Sequence, residues 1–180
     1  MINRNIIQLE NGSMEWVNTV NITAENKKVL NEKDKLSTEF LEYATDADES
    51  PRSEYDDLNR IKLLCFDVPY YDRIMESLAT VPLVFIIREN TLYTFIEKNE
   101  DYEYLNSLLE NTVTEKVYDS MYHLLFSVVY KFCLIYHDKL KVINKERADI
   151  KKSFRKSVKN TDIYRLLNIE QGLTYLSTSL

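Results

Sequence analysis

Glycine is almost missing from this chain: Gly12 and Gly172 are the only two in 180 residues. Phosphate-cradling loops of the GxGxxG or GxxxxGK[ST] type need at least two glycines at close fixed spacing, so both are excluded. Cysteine is as scarce, and Cys65 and Cys133 each sit inside an apolar run. That pattern argues against a disulfide framework and for a reducing compartment. The only histidines, His123 and His137, would stand about 21 Å apart on one helix at 1.5 Å per residue. They cannot share a metal ion, and no CxxC or HExxH pattern accompanies them. They read instead as packing residues at the edges of an aromatic helix. Cys133 and His137 are spaced to meet on a helix, but no orienting group or oxyanion motif supports a nucleophile pair. No serine nucleophile elbow occurs either. No catalytic constellation is visible, and the chain reads as a non-enzyme.

Long hydrophobic runs are missing too. The longest, Leu124 to Tyr136, is interrupted by Lys131. As a helix it would cover about 20 Å, against roughly 30 Å of bilayer hydrocarbon. The opening Met-Ile-Asn-Arg has no signal pattern.

What is present is an ordinary globular composition, 44% hydrophobic and 29% charged, too apolar for a disordered chain. Charge is unevenly spread. Residues 1–110 carry 22 acids and 11 bases, and residues 111–180 carry 7 acids and 12 bases. Such asymmetry suggests two parts with different surfaces. The bases concentrate at Lys139, Lys141, Lys145, Arg147, Lys151, Lys152, Arg155, Lys156 and Lys159. Two readings stand: a phosphate-binding patch for nucleic acid or anionic surfaces on a basic helix over 139–159, or the solvated face of an amphipathic helix. The second is favoured, because the bases fall between Leu140, Ile143, Ile150 and Phe154 and no aromatic platform is interleaved with them.

Along the chain, Ile6 to Leu9, the Asn11-Gly12 pair and the β-rich Trp16 to Ile22 predict a strand, a turn and a strand. Thr23 with Asn26 predicts a capped helix carrying Val29, Leu30 and Leu36, and a short helix follows over Thr38 to Tyr43. The acidic block Asp46 to Asp57, centred on Pro51, reads as a loop entering a strand. Its carboxylates Asp46, Asp48, Glu49, Glu54, Asp56 and Asp57 are hard oxygen ligands of the kind Mg²⁺ or Ca²⁺ prefers, but the EF-hand glycine and terminal glutamate are absent. Ile61 to Val68 reads as a strand, Tyr70 to Thr80 as a linker, and Leu83 to Ile87 with Leu92 to Ile96 as a buried hairpin. Asp101 to Asn111 reads as a short helix. From Val117 to about Lys156 the pattern predicts one long helix. Asn160-Thr161 offers a break, and Leu166, Ile169, Leu173, Leu176 and Leu180 form a heptad seam. The seam is still running at Leu180, which reads as a chain that has been cut.

The order of these pieces resembles a known family. Trp16 in an early strand, the block Asp46-Ala-Asp-Glu-Ser-Pro-Arg-Ser-Glu-Tyr-Asp-Asp57 and the strand Thr80-Val-Pro-Leu-Val-Phe-Ile-Ile87 with its hairpin partner Leu92 to Ile96 are similar to the cytoplasmic N-terminal domain of CorA-type magnesium transporters. The helices from Val117 to Leu180 look like that family's helical arm. The resemblance implies an α+β fold, an α/β/α sandwich with a mixed β-sheet, followed by long antiparallel helices. The sandwich would occupy residues 1–114 and the helical arm, leading to a truncated stalk, residues 115–180. It further implies a regulatory domain on the cytoplasmic face of the cell membrane, a homopentamer in the full-length protein, and weak inter-subunit Mg²⁺ binding that holds the pore shut. Both membrane spans and the family's Gly-Met-Asn pore motif lie outside this sequence. The family's acid just before the Thr-Val-Pro-Leu strand has Asp72 and Glu76 as its nearest counterparts here. Nucleic acid is not an expected partner under this reading. The alternative is a soluble adaptor using the basic helix 139–159.

Overall fold

The computed structural model describes residues 1–97, 99–155 and 159–179. Strands β1 (Ile2–Leu9) and β2 (Gly12–Val20) pair antiparallel with Leu9 opposite Gly12, so Glu10 and Asn11 make the turn. Gly12 follows at φ 131°, a backbone conformation open to glycine. Helix α1 (Ala24–Asp34) starts with the capping box expected from sequence. Thr23 Oγ1 accepts from the Asn26 amide at 3.2 Å, and Asn26 Oδ1 accepts from the Thr23 amide at 3.5 Å. It ends at Lys35, which takes a left-handed φ of 55° and donates its amide to the Leu30 carbonyl. With so little glycine, the chain also puts Asn21, Arg60, Glu76 and Glu89 at positive φ. Helix α2 (Thr38–Tyr43) is capped by Ser37, whose Oγ accepts from the Phe40 amide at 3.1 Å.

Four more strands follow: β3 (Arg52–Asp56), β4 (Ile61–Asp72), β5 (Ser77–Arg88) and β6 (Thr91–Ile96). The sheet order is β1-β2-β6-β5-β4-β3, and only the β2–β6 pairing is parallel. Two expectations are corrected here. The acidic block is not all loop, because Arg52–Asp56 forms an edge strand against Ile61 to Cys65. The segment 70–80 is not a linker, because β4 and β5 run on together until Asp72 faces Ser77. Pro69 interrupts the sequence signal but not the strand. Beyond Cys65 the outer edge of β4 has no strand partner among the described residues, and an edge tolerates a missing N–H.

Side chains alternate across the sheet. Met14, Trp16, Leu83, Phe85 and Leu92 face one way and pack with α3 (Glu103–Thr114) and the first half of α4 (Met121–Phe154). Val17, Leu63, Val84, Ile86 and Phe95 face the other way and pack with Leu30, Leu36, Phe40 and Leu41 of the α1–α2 region. The result is helix, mixed sheet, helix: the α/β/α sandwich of an α+β fold. Each large apolar side chain removed from water contributes about 1.5–3 kcal/mol.

Helix α4 begins later than the periodicity suggests. Ser120 caps it, its Oγ accepting from the His123 amide at 3.2 Å. Tyr118, fully buried before the helix, instead bridges to Leu9. At 34 residues α4 is about 51 Å long by its rise per residue, and its second half leaves the sheet's main face. There Tyr136, Ile143 and Ile150 form a third core with Leu78 of β5 and with Ile169 and Leu176 of α5 (Asn160–Thr178). Of the heptad seam, Ile169 and Leu176 are buried while Leu166 and Leu173 remain 40% and 37% exposed. Leu180, and Lys156 of the basic stretch, lie outside the described residues.

Candidate functional site

The two acids singled out for cation binding both sit at the tip of the β4–β5 hairpin. The geometry of that tip follows from its residues. Asp72 Oδ1 accepts from the amides of Ile74 and Met75, both at 2.8 Å, which is how an aspartate folds the backbone over itself. Glu76 closes the turn at φ 50°, and its carbonyl accepts from Asn168 Nδ2 on α5 at 3.2 Å. The Asp72 carboxylate is half-buried and the Glu76 side chain is exposed. Arg73 points from the same tip to Asp101, to which its Nε donates, and stands 3.6 Å from Glu100. That hydrogen bond from Arg73 holds the Asp101 carboxyl below its usual range. The structure therefore places Asp72 and Glu76 on one hairpin tip, while Arg73 of that tip engages Glu100 and Asp101. Among the described residues, no three His, Cys, Asp or Glu side chains come together in a group that could hold a metal ion.

The acidic block is spent differently. Asp46 Oδ1 accepts from the Asp48 amide at 2.9 Å, and Asp56 accepts from the Asn59 amide and side chain at 3.0 and 2.6 Å. Glu49 and Glu54 flank Arg52 at 3.6 and 3.7 Å, and the Arg52 guanidinium lies 3.8 Å from the centre of the Tyr43 ring. These carboxylates lock turns and hold an arginine.

The histidines are not brought together. His123 meets the Tyr118 ring edge-on at 5.4 Å and Asp119 at 3.3 Å, while the His137 side chain is 65% exposed and packs less than its spacing suggests. Cys133 is exposed, and partial burial moves its thiol up rather than toward a thiolate. Burial pushes the Cys65 thiol up to about 12.

Sequence reasoning missed one charged group entirely. Asp67 lies in the middle of β4, 7% exposed. Its Oδ2 accepts from Ser179 Oγ at 2.7 Å, while its Oδ1 meets no hydrogen-bond donor among the described residues. Burial raises its pKa above the ordinary carboxylate range, against the opposing pull of its hydroxyl neighbours. Its backbone carbonyl accepts from the Tyr136 hydroxyl of α4 at 2.8 Å. The available signal was an acid inside an apolar strand run.

The family model described as CorA-like Mg2+ transporter protein matches residues 11–180. The chain belongs to the CorA-like family. No curated protein matches it significantly. Solved structures carry the CorA fold at low identity. The soluble domain of CorA from Methanocaldococcus jannaschii aligns over 99% of this chain and 74% of its own, with 18% identity and a TM-score of 0.81. The complete CorA magnesium transporter from the same organism aligns over 99% of this chain, with 19% identity and a TM-score of 0.77. This chain spans 58% of that CorA transporter's length. The ZntB cytoplasmic domain from Vibrio parahaemolyticus aligns over 98% of this chain and 73% of its own, with 8% identity and a TM-score of 0.73. Among the described residues of this CorA-like chain, no helix is long and apolar enough to cross a membrane.

Proposed function

We propose that this chain is the regulatory head of a divalent-cation transporter, at the cytoplasmic face of the membrane, and that Mg²⁺ acts on it between neighbouring copies. The supporting observation is the family match across 11–180 combined with a hairpin tip that carries Asp72 and Glu76 without completing, among the described residues, a metal site inside one chain. Residues 1–114 supply the sheet and most of the sandwich, and residues 115–180 the helical arm, whose first half of α4 packs on that sheet. The assembly is a homopentamer. Two acidic tips brought together repel each other, and a largely hydrated divalent ion needs only one or two carboxylates to bridge them. Such an ion stabilises the arrangement in which the tips approach, so it shifts the population toward a closed state.

Titration with MgCl₂ to about 20 mM, against KCl at equal ionic strength, tests this by thermal unfolding. With a Kd near 1 mM the ion contributes RT ln 21, roughly 1.8 kcal/mol. For a chain of this size that is a rise in Tm of about 4–7 °C. Equal responses to the two salts would overturn the reading.

A further inference from the structure

A cleft of about 330 Å³ opens where the β4–β5 hairpin, α4 and α5 meet. Its walls include Ser77, Lys139, Arg165 and Asn168, with Glu76 and Glu146 also lining it. Two of these groups are unsatisfied. Ser77 is 3% exposed, and its Oγ has no hydrogen-bond partner among the described residues. Lys139 is half-buried, and no carboxylate among the described residues lies within 4 Å of its ammonium. A buried hydroxyl without a partner and a desolvated ammonium without a counter-charge each cost stability. Burial lowers the Lys139 pKa, the mark of an ammonium short of compensation. The two carboxylates do not supply it. Glu146 is held by Arg165 Nε at 3.2 Å, Arg165 Nη1 also stands 3.7 Å from Asp162, and the exposed Glu76 makes no ion pair within 4 Å among the described residues.

We infer that this cleft binds a small phosphate-bearing anion, with Lys139 supplying the charge, Ser77 a hydroxyl donor and Arg165 the guanidinium on the α5 side. A dianion satisfies both unsatisfied groups at once, and the Arg165 guanidinium, shared between Glu146 and Asp162, adds positive charge beside them. The volume sits at the small end of ligand pockets, which start near 300 Å³. That leaves room for a small organic phosphate beside apolar Val142 and Leu78. Because the cleft joins three elements, occupancy ties the arm to the sheet.

The test is calorimetric titration of the whole chain in EDTA, at constant ionic strength, with inorganic phosphate and with β-glycerol phosphate as the organic monoester. Saturable binding of at least one is expected, with chloride inert. Tighter binding of the monoester would identify an organic phosphate as the ligand, and equal binding a free phosphate. Lys139→Met is expected to weaken binding at least about tenfold, the loss of a charge-assisted hydrogen bond, while Lys139→Arg retains it. Ser77→Ala, which removes only an unpaired hydroxyl, is expected to fold normally and to bind about threefold or more weakly. No saturable binding by about 20 mM, or unchanged binding in Lys139→Met and Ser77→Ala, would overturn the assignment. Should Lys139→Met not fold, Ser77→Ala decides.

Discussion

Ser179 donates its hydroxyl to Asp67 at 2.7 Å, tying the last turn of α5 to the middle of β4. Ser179 also reaches Thr80 Oγ1 on β5 at 3.1 Å. The end of α5 is thus pinned to the sheet by a buried carboxylate whose Oδ1 has no hydrogen-bond partner among the described residues.

This pin makes stability depend on pH in a definite direction. The folded-state pKa of Asp67 is raised, by burial first. Its contribution is therefore most favourable below the unfolded carboxylate value, about 3.9, and is lost as pH rises toward the folded value. Asp67→Asn keeps an acceptor for Ser179 and removes the buried charge. At pH 7 the variant is expected to be more stable than the parent by about 1–3 kcal/mol. Urea unfolding at several pH values should show that gain shrinking toward pH 4. A gain that grows on acidification contradicts the account.

Thr94 links two buried partners across β2 and β6. Its Oγ1 accepts from Trp16 Nε1 at 3.1 Å and donates to Asn18 Oδ1 at 2.9 Å. Thr94→Val keeps the shape and leaves both groups unpaired. A loss of about 1–3 kcal/mol is expected, with a shift in fluorescence from the single tryptophan. Unchanged emission and stability would show that the network carries no energy.

Gly172 lets α5 lie close on β5. A Cβ there would come 3.1 Å from Leu78 Cβ, a strand atom that cannot rotate away. Gly172→Val is expected to cost about 1–3 kcal/mol in chemical unfolding. Gly172→Ala should cost less, since alanine regains up to about 1 kcal/mol of helix propensity. The opposite order would show that the two elements separate without penalty.

Lys35 offers the converse test. It is exposed and left-handed at the end of α1, a conformation costing non-glycine residues about 1–2 kcal/mol. Lys35→Gly should raise stability by about 0.5–1 kcal/mol despite its greater unfolded-state freedom. A drop in Tm would be the contrary result.

Local signals in the sequence carried much of this architecture. The Thr23–Asn26 capping box, the bounds of α2 and the Leu83–Ile96 hairpin follow from residue chemistry within a few positions. The long β4–β5 extension did not, because its tip is built by the Asp72 side chain and a left-handed Glu76. A backbone-folding aspartate looks the same in a linker as in a tight hairpin. The true start of α4 was hidden for a different reason: Tyr118 has a helix-compatible spacing but is buried through its contact with Leu9, 109 positions earlier. Asp72 and Glu76 could be singled out by resemblance and placed together by the hairpin. Asp67 and Ser77 could not, since the oxygen each leaves without a partner among the described residues is a property of elements packed together, and Lys139 was legible only as one base of a charged stretch, not as a cleft residue.

Under the proposed function, divalent ions draw copies of this domain together through the hairpin tip. Sedimentation velocity of the parent chain and of the Asp72→Asn/Glu76→Gln double variant, with and without about 20 mM MgCl₂, measures this directly. The account expects the parent to sediment as a larger species in Mg²⁺ and the double variant to stay unchanged. Sedimentation of the parent that ignores Mg²⁺, or a double variant that associates as well as the parent, would contradict it.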